Sequence, residues 1–167
     1  MIPLNSTVPT GQNAFDSHLC YAAPPVHTSD GERLYYMGSN GPHTGSKPRR
    51  NASLGLAHLR TDGYAGISGQ GVLTTVPLVV AGPILTLTLD ILSASAIGSV
   101  KVGVSTDEGA RPVPGLSVAD CIAITANATN AEVRFNGGAD FGRLIGHNVT
   151  LEIVITDAIV YTIGWAT

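Results

Sequence analysis

From Leu85 to Ile91 the chain alternates strictly. Leu85, Leu87, Leu89 and Ile91 fall on one parity, and Thr86, Thr88 and Asp90 on the other. A period of two is what a half-buried antiparallel strand requires. Ser99 to Val104 repeats the pattern, with Val100, Val102 and Val104 inward, and Thr106-Asp107-Glu108-Gly109 follows as a turn. The C-terminus reads as a hairpin. Val149, Leu151, Ile153 and Ile155 share a parity, Thr156-Asp157 supplies a tight turn, and Ile159, Tyr161, Ile163 and Trp165 continue on one parity that directs Tyr161 and Trp165 to the core. Shorter strands are predicted over Glu132–Phe135, over Leu78–Val80 between two prolines, and over Leu54–Arg60 paired with Tyr64–Ser68 around Thr61-Asp62-Gly63. Gly55 and Gly66 within this last pair suggest bulges or sharp twists.

No segment carries a convincing 3.6-residue apolar period, and Leu116 to Ile124 has room for one short helical turn. Many short strands punctuated by Gly and Pro imply an all-β fold, an antiparallel β-sandwich of jelly-roll-like type. The first fifty residues differ. Leu19-Cys20-Tyr21 and Arg33-Leu34-Tyr35-Tyr36-Met37 read as two strands joined through Pro24-Pro25 and Asp30-Gly31, followed by a loop from Gly38 to Gly45. The predicted organisation is an N-terminal arm and hairpin over residues 1–48 and a sandwich over 49–167.

Composition narrows the function. In 167 residues, 44% are hydrophobic, enough for a sizeable core, while charged residues reach only 13%. That is about half the usual share. A net charge of -3 offers no electrostatic reason for a nucleic acid or an anionic membrane as partner. The basic run Lys47-Pro48-Arg49-Arg50 reads as a solvated loop. No apolar run approaches the roughly 20 residues that span a bilayer. The N-terminus has no basic region leading into an apolar stretch, so the expectation is a cytoplasmic protein, or a secreted one whose leader has been removed. Cys20 and Cys121 are expected as two buried free thiols, and the sequons at Asn5, Asn51, Asn127 and Asn148 as incidental.

Catalytic patterns are missing. Sugar hydrolysis needs two carboxylates facing one ring, yet Asp30, Asp62, Asp107 and Asp157 sit in turn sequences, and Glu132 and Glu152 oppose apolar neighbours on strands. No two of the five histidines have metal-ligand spacing, and Gly66-Ile67-Ser68-Gly69 does not complete a nucleophile elbow. The sequence predicts no catalytic residue, no metal and no cofactor.

Phe15-Asp16-Ser17, Ala23-Pro24-Pro25-Val26 and Arg33 to His43 resemble the last strands of a final blade in invertase-like glycoside hydrolases, which join a five-bladed β-propeller to a β-sandwich. Ser53–Ala57 with Leu59–Tyr64 resembles the first sandwich strands, and Asp107-Glu108-Gly109, Val113–Ser117 and Ala119-Asp120-Cys121 resemble its middle loops. The catalytic motifs of such enzymes, of the Trp-Met-Asn-Asp-Pro-Asn-Gly, Arg-Asp-Pro and Glu-Cys types, are absent. The resemblance therefore implies the accessory portion of such an enzyme, without its hydrolase activity.

The candidate binding cluster is Asp16, His18, Tyr35, Tyr36 and His43. Aromatic faces stack on sugar C–H surfaces while Asp and His fix hydroxyls, so carbohydrate is the expected ligand. The competing reading buries one tyrosine in the core and leaves the other on a surface that the missing blades cover in the enzymes. Aromatic residues total only 5% of the chain, which disfavours a dedicated sugar module. The alternative function is a structural module that self-associates into a homo-oligomer through open strand edges and the N-terminal arm.

Overall fold

The computed structural model describes residues 15–41, 43–44, 51–92, 98–106 and 111–167. Nearly all regular structure is antiparallel strand, as the alternation predicts. The chain divides into two compact units, Met1–Tyr64 and Ala65–Thr167. The expected boundary near residue 48 lies outside the described residues.

The first unit is a four-stranded antiparallel sheet made of β1 (Leu19–Ala22), β2 (Val26–Thr28), β3 (Gly31–Ser39) and β4 (Ala52–Leu59). Strand β3 lies at its centre. β1 and β2 follow one another along one edge of β3, with Tyr21 opposite Met37 and Val26 opposite Arg33, while β4 fills the other edge from Glu32↔Leu59 to Ser39↔Ala52. Pro24-Pro25 interrupts the β1–β2 line because proline has no N–H to give the ladder. Ala23 N–H still reaches Tyr35 O at 2.8 Å. The predicted pairing of residues 54–60 with 64–68 does not form, because β4 finds its partner in β3 instead. Gly55 marks no bulge. A Cβ there would lie 2.3 Å from Tyr36 Cζ, so the glycine makes room for the tyrosine ring lying over it.

The second unit comprises β5 (Ile67–Thr74), β6 (Leu78–Val79), β7 (Ile84–Ile91), β8 (Ser99–Thr106), β9 (Arg111–Pro112), β10 (Ala128–Glu132) and β11 (Asn148–Ala166). β11 is one strand of 19 residues, not the predicted hairpin. Its first half pairs with β8 and its second half with β7, while β5 pairs along both. With separate partners for each half, the chain need not fold back on itself. Asp157 at φ 45 forms a bulge that shifts the register. The buried parity accordingly moves from Ile153 and Ile155 to Ala158 and Val160. Tyr161 is thereby displaced from the core and donates its hydroxyl to Asp90 at 2.9 Å. Trp165 does pack against the core, edge-on to Phe141 at 5.0 Å between ring centroids.

Backbone hydrogen bonds in this sandwich-like unit also link β7 to β8 through β10 and the segment 121–124. β10 pairs β7, Ile122 N–H donates to Arg134 O, and Ile124 and Val100 exchange bonds of 2.9 Å across to β8. Between the bonds that Val100 and Val104 make, Val102 N–H donates to Cys121 Sγ at 3.2 Å. Leu85, Leu87, Leu89, Val100, Val102, Leu151 and Ile153 are wholly buried and belong to one hydrophobic core. The threonine face of β7, expected to be solvated, is buried too. β7 has neighbours on both edges, and Thr88 Oγ1 accepts Asn130 N–H. The region 116–124 does hold one turn, with Cys121 N–H donating to Ser117 O.

Candidate functional site

In the first unit, alternation along β3 sorts the predicted cluster onto two faces. Tyr36 shares a face with Glu32, Leu34 and Gly38, and Tyr35 shares the other with Arg33 and Met37.

On the Tyr36 face, the phenol donates to Asp16 Oδ2 at 2.8 Å, and the ring stacks on Phe15 with 6.1 Å between centroids. The segment carrying Phe15 and Asp16 lies so close over Gly38 that a Cβ there would sit 2.6 Å from Asp16 Cβ. Asp16 is buried, and its Oδ1 has no hydrogen-bond partner among the described residues. The bond to Asp16 is the main cause that raises the Tyr36 phenol above its ordinary range, followed by burial. Burial, then the Asp16 charge, raises the Cys20 thiol. Both cysteines are free thiols, as expected, but Cys20 is only half-buried while Cys121 is buried.

The same unit holds a polar group at the β2–β3 turn. Glu32, only 3% exposed, has His27 Nδ1 at 2.6 Å from its Oε2. Asp30 accepts from Thr28 Oγ1 at 2.7 Å and from Arg33, and these bonds hold its carboxyl below the usual carboxylate range. No group of three or more His, Cys, Asp or Glu side chains is placed to hold a metal among the described residues.

On the other face, Tyr35 is exposed, and so is His43, whose ring lies 5.8 Å from Tyr21 at 54°. His18 is exposed and its backbone N–H donates to Ser39 O. The structure thus brings Asp16 to Tyr36 and His43 to Tyr21. It does not bring the five predicted residues to one cleft, because adjacent strand residues point to opposite sides.

What the sequence reading missed is the apolar character of the Tyr35 face. Register places Tyr21, Met37 and Leu54 in one row, Tyr35 and Leu56 in the next, and Val26 beyond. All six are exposed, Leu54 to 82%. Leu54, Leu56, Tyr35 and Met37 alternate in the sequence, which was the available signal, but alternation alone does not say whether the apolar parity is covered.

No family model, curated protein or solved structure matches the chain. No helix among the described residues is long and apolar enough to cross a membrane.

Proposed function

We propose that this chain is a non-catalytic β-sandwich module, related to the accessory portion of invertase-like glycoside hydrolases, that associates with a second copy of itself through the Tyr35 face of its N-terminal sheet. The observation that carries this reading is a contrast in burial. Among the described residues, every fully buried apolar side chain belongs to the second unit, while Tyr21, Tyr35, Met37, Leu54 and Leu56 of β1, β3 and β4 lie at the surface. Small sheets gain their stability by burying an apolar face. Taking roughly 200 Å² for a whole exposed residue, the six side chains present on the order of 600 Å². This is at the upper end of the patches of about 300–600 Å² found on monomers, and approaches the roughly 800 Å² that each partner contributes to a stable interface. In the invertase-like enzymes that the sequence resembles, a neighbouring sheet of the same chain would supply this cover. A second copy offers the same chemistry through a two-fold, self-complementary contact.

Sedimentation over a concentration series tests the reading. The unsubstituted chain forms a dimer, and Leu54→Lys with Leu56→Lys gives a monomer of unchanged circular dichroism. A monomer at all concentrations overturns it.

Weak carbohydrate binding is the second reading, supported by the Tyr21–His43 ring pair beside exposed Tyr35 on one face. Millimolar saccharide binding that Tyr35→Ala abolishes would favour it.

A further inference from the structure

The chain holds two Asn-Gly pairs, Asn40-Gly41 before β4 and Asn136-Gly137 between β10 and β11. Neither takes part in the association proposed above. Such a pair is prone to one reaction. The backbone nitrogen that follows an asparagine attacks the side-chain amide carbon, and glycine, with no Cβ, leaves that approach open. The other described asparagines precede alanine or valine, whose Cβ stands in the way.

The fold treats the two pairs differently. Asn40 is held. Its Oδ1 accepts Asn51 N–H at 2.8 Å, its own N–H donates to Asn51 O at 3.2 Å, and Gly41 N–H donates to Ser39 Oγ at 3.3 Å. Gly41 is also buried. Attack at Asn40 requires these bonds to open first. Asn136 is exposed, and its side-chain amide has no hydrogen-bond partner among the described residues. The Gly137 N–H has no acceptor among them either. Gly138 N–H closes the turn on Phe135 O at 3.2 Å, and Gly137 takes φ 81 and ψ 3, a region that glycine reaches without steric cost. A Cβ at Gly137 or Gly138 would meet nothing within 4 Å, so water reaches the attacking nitrogen.

We propose that Asn136 is a site of spontaneous deamidation, and that folding directs the reaction to it and away from Asn40. Hydroxide removes the Gly137 N–H proton, and the nitrogen bonds to Asn136 Cγ. The Cγ–Nδ2 bond breaks, and ammonia leaves with a proton taken from water. One water then opens the five-membered imide at either carbonyl. One opening gives aspartate at 136 on an ordinary main chain. The other routes the main chain through the side chain as isoaspartate. Either product gains one negative charge. Isoaspartate also adds one carbon to the main chain between residues 136 and 137. The turn bond from Gly138 to Phe135 spans that point and is lost. Phe135 is only 4% exposed and lies edge-on to Phe141 at 6.1 Å between ring centroids, so the change acts as a slow timer that loosens the core of the second unit.

Incubation of the full chain at mildly alkaline pH, followed by digestion and mass spectrometry, tests the assignment. In the folded chain the Asn136 peptide gains the mass of an amide-to-acid exchange about tenfold or more faster than the Asn40 peptide, because hydrogen bonds hold the latter. In urea the two pairs react at similar rates, since no structure then separates them. Asn136→Gln stops the reaction at this position and leaves the circular dichroism unchanged, because the longer exposed side chain closes a less favourable ring. The isoaspartyl product, separated by chromatography, melts below the Asn136→Asp variant, which carries the same charge on an ordinary main chain. Similar rates at the two pairs in the folded chain, faster loss at Asn40, or an Asn136 that reacts only in urea overturns the proposal. An isoaspartyl form that melts with the Asn136→Asp variant overturns the timer.

Discussion

The Tyr36 hydroxyl donates to the Asp16 carboxylate at 2.8 Å and ties the segment preceding β1 to the central strand of the N-terminal sheet. The buried carboxylate has one oxygen satisfied by this bond and the other without a partner among the described residues. Removing the phenol therefore leaves the carboxylate worse off than before.

Tyr36→Phe destabilises the first unit by about 1.5–3 kcal/mol, the range for a hydrogen bond to a charged group. Amide hydrogen exchange along β1 and β3 reads this directly. The raised phenol adds a pH dependence. Its stabilisation is present below the ordinary tyrosine value of about 10 and is lost as pH rises through the higher folded value. The phenylalanine variant lacks that component of alkaline loss.

Gly55→Ala places a methyl group where the Tyr36 ring now lies, 2.3 Å from Cζ. The ring must move, at a cost of about 1–3 kcal/mol. With Tyr36→Leu in the same chain the glycine substitution costs less than it does alone, since the two residues share one space. Urea unfolding of the two single variants and the double variant measures the coupling.

The sequence shows the fold where alternation is long and uninterrupted. β7, β8 and the first half of β11 follow directly from Leu85-Leu87-Leu89, Val100-Val102-Val104 and Leu151-Ile153-Ile155. It misleads where a local signal has two outcomes. Thr156-Asp157 serves a bulge as readily as a turn, and only the existence of partners β7 and β8 decides between them. Phe141, the largest wholly buried side chain, sits in a loop with no period at all. The candidate cluster was legible as a set of residue types, but adjacency in sequence set Tyr35 and Tyr36 on opposite faces.

Cys121 fills a gap in the β8 ladder by accepting Val102 N–H, and burial raises its thiol. In the folded chain Cys20 reacts with a thiol reagent first, and Cys121 reacts only on unfolding. Cys121→Ala leaves a buried N–H without its acceptor and costs about 1–3 kcal/mol. Mass spectrometry of the labelled chain and thermal melts check both outcomes.

Asp120 accepts from the Ser117 hydroxyl at 2.6 Å and from its backbone N–H, and these bonds hold its carboxyl below the usual range. The stabilisation is present above the ordinary carboxylate value of about 4 and is lost as pH falls through the lower folded value. Asp120→Asn flattens the acid side of the stability profile across that interval. Thermal melts from neutral to acid pH show the change in slope.

The proposed contact between copies runs through the Tyr35 face. The chain has two methionines, Met1 and Met37, and Met37 occupies the middle strand of that face. Methyl NMR of methionine-labelled protein over a concentration series isolates it. Association through this face shifts or broadens the Met37 methyl signal as concentration rises and restores it in the Leu54→Lys, Leu56→Lys variant, where the signal no longer depends on concentration. A Met37 methyl signal that is unchanged from dilute to concentrated solution rules out association through this face.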